Sequence, residues 1–163
     1  MSPDKLEPFD MATLRAIFTA PVRGAAIQAS DAVQVHAGCG IVGDRNYRRN
    51  NTPADQITLI EQAAVDFFNQ AHGSSLPASL LRRNLLIDDA ALNDLVGQTF
   101  RVGRIRLRGI ELCEPCAVVG RILQAEGIPA PAALRTLAGR GGLRAEILDT
   151  GVIRVGDTLT LET

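Results

Sequence analysis

Short apolar runs, broken every few residues by glycine, constrain this 163-residue chain more than any other feature. Side chains on a strand alternate between two faces, so apolar residues at every second position mark a half-buried strand. Residues 11–20 carry Leu14, Ile17 and Phe18 with one break in the alternation and read as a first strand ended by Pro21. Val33 and Val35 suggest a second, followed by the glycine-rich turn 36–45 and a polar loop holding Arg48, Arg49, Asn50 and Asn51. Residues 57–60 form a short strand that runs directly into a helix. Its expected buried face is Ile60, Ala63, Ala64, Phe67, Phe68 and Ala71, and Gly73 is its stop. Residues 85–87 are another strand. Residues 98–112 are strongly β, and the apolar phase slips at Gly109, the signature of a bulge. Helices are expected over 118–125 and 132–138. Strands are expected at 143–147, 152–155 and 159–161, separated by turns at Asp149-Thr150-Gly151 and Gly156-Asp157. Many short strands with few interspersed helices predict a mainly β (α+β) fold: a closed or nearly closed β-barrel with a few capping helices. No repeat or linker divides it, so residues 1–163 are expected to form a single domain with 1–10 as a loose lead-in.

Composition excludes several function classes. Hydrophobic residues make up 46% and charged residues 21%, a globular balance, and a net charge of −1 offers no global field to recruit nucleic acid or an anionic membrane. No apolar run approaches the roughly 18 residues of a membrane span. The N-terminus lacks the basic-then-apolar order of a signal peptide, and three cysteines do not make a disulfide framework, so a reduced cytoplasmic location is expected. Sixteen of the seventeen basic residues are arginine. The one lysine, Lys5, stands in the lead-in, which removes lysine-bound pyridoxal phosphate from consideration.

Chemistry concentrates in Cys113-Glu114-Pro115-Cys116, between the strand ending at Leu112 and the helix beginning near Val118. Pro115 suits the first helical position, which sets Cys116 within the first helical turn. There, unpaired backbone N–H groups and the helix dipole favour a thiolate, which is both a nucleophile and a metal ligand. A small apolar residue buried at a strand–helix junction accounts equally well for the position. Two further readings compete. A thioredoxin-like dithiol also opens a helix after a strand, but early in a βαβ unit rather than late in a β-rich chain. A structural zinc ion would need four ligands, for which only Cys113, Cys116, His36 and Cys39 are available. No nucleophile elbow, Walker loop or dinucleotide fingerprint is present.

Taken in order, Gly40-Ile41-Val42-Gly43-Asp44-Arg45, Arg82-Arg83-Asn84-Leu85, Glu111…Pro115-Cys116, Gly141-Gly142-Leu143-Arg144-Ala145-Glu146 and Gly151-Val152-Ile153-Arg154-Val155-Gly156-Asp157 resemble the MOSC domain, named for the C-terminal domain of molybdenum-cofactor sulfurases. The resemblance runs from about residue 12 to the end. It implies a β-barrel with helical caps in which the cysteine matching Cys116 carries sulfur or ligates molybdenum in a bound molybdopterin. Arginine suits the phosphate that ends molybdopterin, so Arg45, Arg82 and Arg83 are the candidate clamp and Asn84 a candidate for the pterin edge. Asp44 fits turn chemistry as well as ligand contact, and Gly156-Asp157 is assigned to a hairpin turn. The resemblance covers a MOSC unit alone, without a desulfurase part or a partner domain. A sulfur-donor or electron-transfer protein is therefore expected as partner. The function expected is cofactor binding in support of sulfur transfer or of the reduction of N-hydroxylated compounds. A non-catalytic carrier and a zinc-stabilised barrel are the alternatives.

Overall fold

A computed structural model describes residues 12–50 and 52–162; the lead-in 1–10, Met11, Asn51 and Thr163 lie outside the described residues. In chain order the strands and helices are β1 (Thr13–Thr19), β2 (Gln28–Ser30), β3 (Ala32–His36), β4 (Gly40–Ile41), β5 (Ile57–Glu61), α1 (Gln62–His72), β6 (Leu85–Asp88), β7 (Thr99–Val102), β8 (Ile105–Leu112), α2 (Ala117–Ala125), α3 (Ala130–Leu137), β9 (Leu143–Ile147), β10 (Gly151–Arg154) and β11 (Leu159–Leu161).

Eight strands form one sheet in the order β11-β7-β8-β9-β5-β6-β1-β2, and β10-β3-β4 form a second. The large sheet curls but is not a closed barrel, which corrects the expectation of closure. Its far strand β11 and the turn before it touch the start of β1 through one bridge, Thr13 opposite Thr158, and backbone hydrogen bonds from the Leu14 N–H to the Asp157 carbonyl and from the Leu159 N–H to the Ala12 carbonyl, and β2 extends the sheet beyond β1. β10 leaves this sheet and pairs with β3 instead. The turns at 149–151 and 156–157 are therefore crossings between sheets rather than hairpins, although Asp157 does cap its turn by accepting from the Arg154 N–H.

Strand alternation builds two cores from the same strands. On β5 and β6, Leu59, Leu85 and Ile87 point into the curl, where they meet Leu14, Phe100 and Leu107. Their neighbours Ile60 and Leu86 point outward and pack under the helices with Val65, Phe68, Val119 and Leu123. The break in β1 is a register shift between Leu14 and Ala16, which lets Leu14 and Ile17 face the same core. The bulge expected at Gly109 is present as a shift between Gly109 and Glu111. A side chain at Gly109 would collide with the Leu95 carbonyl oxygen, so the bulge also admits a close backbone approach. Gly73 caps α1 in the left-handed conformation. The buried face of that helix is rotated from expectation. Ala64, Val65 and Phe68 are buried, while Ala63, Phe67 and Ala71 are exposed. Phe67 is instead covered by the Arg140 guanidinium, 3.8 Å from its ring centre. No helix among the described residues is long and apolar enough to cross a membrane.

Candidate functional site

Five chain segments far apart in sequence open a cleft of about 660 Å³ beside the start of α2. Cys116 is the N-cap of α2, just before the first helical turn in which it was expected, and Pro115 precedes the helix rather than opening it. Its side chain makes no capping hydrogen bond and is exposed. Burial pushes the Cys116 thiol up. The Val119 and Val118 N–H groups and the charges of Arg83 and Arg144 outweigh that effect and leave it below its ordinary value. The Glu114 carboxylate accepts from the Gly139 N–H at 3.4 Å. Cys113 is buried at the end of β8, with its N–H donated to the Gly142 carbonyl at 2.7 Å. The two sulfurs thus differ in both exposure and field.

Arg45, Arg82 and Arg83 come together on the cleft wall. Each is aimed by a protein oxygen. Arg45 Nη1 pairs with the buried Asp44 carboxylate at 3.0 Å, and Nη2 donates to the Arg82 carbonyl at 2.9 Å. Arg82 Nη2 donates to the Ala25 carbonyl at 3.1 Å, and Arg83 Nε to that of Gly141 at 2.8 Å. Burial and the neighbouring Arg45 push the Arg82 guanidinium below its ordinary value against the pull of Asp44, yet it remains charged at neutral pH. Asp44 serves the turn: it also accepts from the Ala20 and Asn46 N–H groups and does not line the cleft.

Asn84 is not on the cleft, which corrects its assignment to a pterin edge. It is fully buried, with Oδ1 accepting from the Thr58 N–H at 3.0 Å and Nδ2 donating to the Phe18 carbonyl at 3.0 Å. Both of its side-chain polar atoms are engaged in tying β1 and β5 together at the point where Arg82-Arg83 emerge.

Four cleft arginines escaped sequence reasoning: Arg23, Arg49, Arg121 and Arg144. Arg49 was read only as loop, and Arg144 only as part of a motif. Arg144 lies 3.9 Å from Asp55 and 3.8 Å from Glu111. Gly141-Gly142 is explained by proximity. A side chain at Gly141 would strike the Cys113 carbonyl oxygen, and Gly142 sits at φ +107° with no room for a side chain beside the Leu59 carbonyl. These two glycines bring β9, Cys113 and Arg83 into contact.

No group of three or more His, Cys, Asp or Glu able to hold a metal occurs among the described residues, so the zinc-stabilised barrel has no ligand set there. His36 instead bonds the Tyr47 hydroxyl at 2.6 Å, and Cys39 accepts from Arg48 Nε at 3.4 Å, both outside the cleft.

The MOSC domain family matches residues 46–160, which include Arg82, Arg83, Cys116 and Arg144. The chain belongs to the MOSC domain family. That family is associated with the molybdenum cofactor and with sulfur-carrier-type domains. Solved MOSC-type structures share the fold at low identity. The YuaD protein of Bacillus subtilis aligns with a TM-score of 0.78 at 17% identity, over 91% of this chain and 93% of that one. YiiM from Geobacillus stearothermophilus gives 0.69 at 16%, over 93% and 75%. YiiM from Escherichia coli gives 0.63 at 19%, over 94% and 70%. No curated protein matches the chain significantly.

Proposed function

We propose that this MOSC domain binds molybdenum cofactor in the arginine-lined cleft, with the Cys116 thiolate as metal ligand or sulfur carrier. The observation that carries the proposal is the exposed, acid-shifted Cys116 at a cleft lined by seven arginines. The donor set fits such a group. A single soft thiolate cannot hold a free metal ion, but it can complete the coordination of a metal that arrives already chelated. Molybdopterin supplies that chelate and, when bound, the metal's redox and sulfur chemistry. The protein's own part is to hold the Cys116 thiol below its ordinary value through backbone N–H groups and two guanidinium charges, and to orient the terminal phosphate on Arg45, Arg82 and Arg83. Reconstitution with the cofactor should give about one molybdenum per chain, the count expected of a single thiolate ligand. Cys116→Ser should abolish it. Unchanged metal content in that variant would refute the ligand assignment.

The exposure of Cys116 favours a second reading, in which the domain passes sulfur or cofactor to a partner protein without turning over substrate. An assay of N-hydroxylated compounds with an artificial electron donor separates the two. Turnover supports an oxidoreductase; bound cofactor without turnover supports a carrier.

A further inference from the structure

The cleft holds more cationic capacity than one phosphate uses. A terminal phosphate presents three non-bridging oxygens and is filled by about two forked guanidinium contacts. The cleft supplies seven arginines. Three carboxylates, Asp44, Asp55 and Glu111, lie against members of this set, so four positive charges remain uncompensated. A phosphate monoester brings only about 1.5 to 2 negative charges at neutral pH.

The arginines also differ in how they are held. Arg45, Arg82, Arg83 and Arg144 are each steered by a carbonyl or carboxylate of the protein. Arg23, on the β1–β2 connection, Arg49, on the long loop, and Arg121, on α2, are exposed and make no ion pair or side-chain hydrogen bond among the described residues. Three separate segments therefore each bring one unengaged guanidinium to the same cleft in a chain whose net charge is −1. Like charges gathered in this way repel each other, and a bound polyanion relieves the repulsion.

We propose that the cleft binds two phosphoryl groups at once, the second one held by Arg23, Arg49 and Arg121. The chemistry is that of a diphosphate-bearing ligand, or of two phosphorylated molecules bound side by side. The proposal rests on the cleft being the ligand site but not on molybdenum, so it stands or falls separately from metal binding.

Calorimetric titration of the apo-protein with inorganic phosphate and with inorganic pyrophosphate tests it. Pyrophosphate is expected to bind at least tenfold more tightly than phosphate. The combined variant Arg23→Ala, Arg49→Ala, Arg121→Ala is expected to lose that advantage and keep its phosphate affinity within about twofold. Saturation by one pyrophosphate or by two phosphates per chain distinguishes one extended ligand from two separate ones, and either supports the double site. A control variant, Arg104→Ala, Arg108→Ala, Arg154→Ala, removes the same charge from exposed positions outside the cleft and should bind both ions as the parent does. Equal affinity of the parent for the two ions would overturn the proposal. So would an equal loss of pyrophosphate binding in the control, or a loss of phosphate and pyrophosphate binding together in the cleft variant. Far-ultraviolet circular dichroism confirms that each variant is folded.

Discussion

Replacing Asn84 should damage the fold before it damages any ligand contact. Oδ1 accepts from the Thr58 N–H and hydroxyl at 3.0 and 3.2 Å, and Nδ2 donates to the Phe18 carbonyl at 3.0 Å. Alanine removes all three bonds. It leaves the Thr58 N–H and the Phe18 carbonyl without their partner, and a buried unsatisfied group costs about 1–3 kcal/mol. Thr58 lines the cleft, so water can reach part of what is lost there; a total of about 2–4 kcal/mol is expected. For a chain of this length each kcal/mol moves the melting temperature by about 2–4 °C, so Asn84→Ala should melt about 5–15 °C lower. Asn84→Asp keeps the acceptor but turns an oxygen toward the Phe18 carbonyl. A buried carboxylate has a raised pKa, and its protonated form can donate where Nδ2 did. Asn84→Asp should therefore gain stability as pH falls, while Asn84→Ala should not. Calorimetric melting from pH 5 to 8 reads both effects. An unchanged melting temperature in Asn84→Ala, coupled with lost cofactor binding, would refute the structural role and return Asn84 to the ligand.

Iodoacetamide should label Cys116 first and Cys113 last, because Cys116 is exposed and Cys113 is buried. Since the folded state lowers the Cys116 pKa, its labelling should rise at lower pH than that of an unstructured thiol, and Arg83→Gln or Arg144→Gln should move the rise back up. The same depressed pKa stabilises the fold above the unfolded thiol's pKa, an increment lost as pH falls through the folded value. Mass-spectrometric mapping against pH checks the order, and first labelling of Cys113 would contradict it. Gly141→Ala should cost about 1–3 kcal/mol through overpacking against the Cys113 carbonyl. Chemical denaturation measures this cost, and a neutral result would mean that the β8–β9 junction yields.

Local features were legible in the sequence because their causes are local. The bulge at Gly109, the stop at Gly73 and the strand starting at Leu85 follow from glycine chemistry and alternation within a few residues. The departure of β10 to a second sheet was not, because nothing within residues 149–157 decides whether β10 pairs beside β11 or crosses to β3. The turn residues are the same in either case. The placement of Cys116 at the head of a helix was legible from the strand and helix patterns that flank it. Asn84 was misread because sequence adjacency to Arg82-Arg83 suggested a shared role, whereas strand geometry sends its side chain inward. The wider arginine set was hidden by distance: Arg23, Arg49, Arg121 and Arg144 lie on four segments that only the fold assembles. A near-neutral net charge concealed the local excess. The strong preference for arginine over lysine was the one available signal, and it says nothing about position.

Arg82 and Arg83 offer a paired comparison that isolates backbone strain at the site. Arg82 follows the short helical turn Ala78–Leu81 and adopts the left-handed conformation at φ +62°. For a residue with a Cβ this conformation costs about 1–2 kcal/mol, whereas glycine adopts it freely. Arg83 is not among the positive-φ residues. Each arginine donates one side-chain hydrogen bond to a backbone carbonyl, to Ala25 and to Gly141 respectively, and each carries one charge into the cleft. Arg82→Gly and Arg83→Gly therefore lose similar interactions and gain the same unfolded-state freedom, so those contributions largely cancel between them. What remains is the strain relieved at position 82 alone. Arg82→Gly should be more stable than Arg83→Gly by about 1–2 kcal/mol, while both lose anion affinity. Urea denaturation of the two variants side by side gives the difference directly. Equal destabilisation would show that Arg82 is not held in the left-handed conformation at a cost. A smaller loss of stability at 82, together with weakened phosphate binding, would mean that the chain bears this strain to point a guanidinium into the cleft.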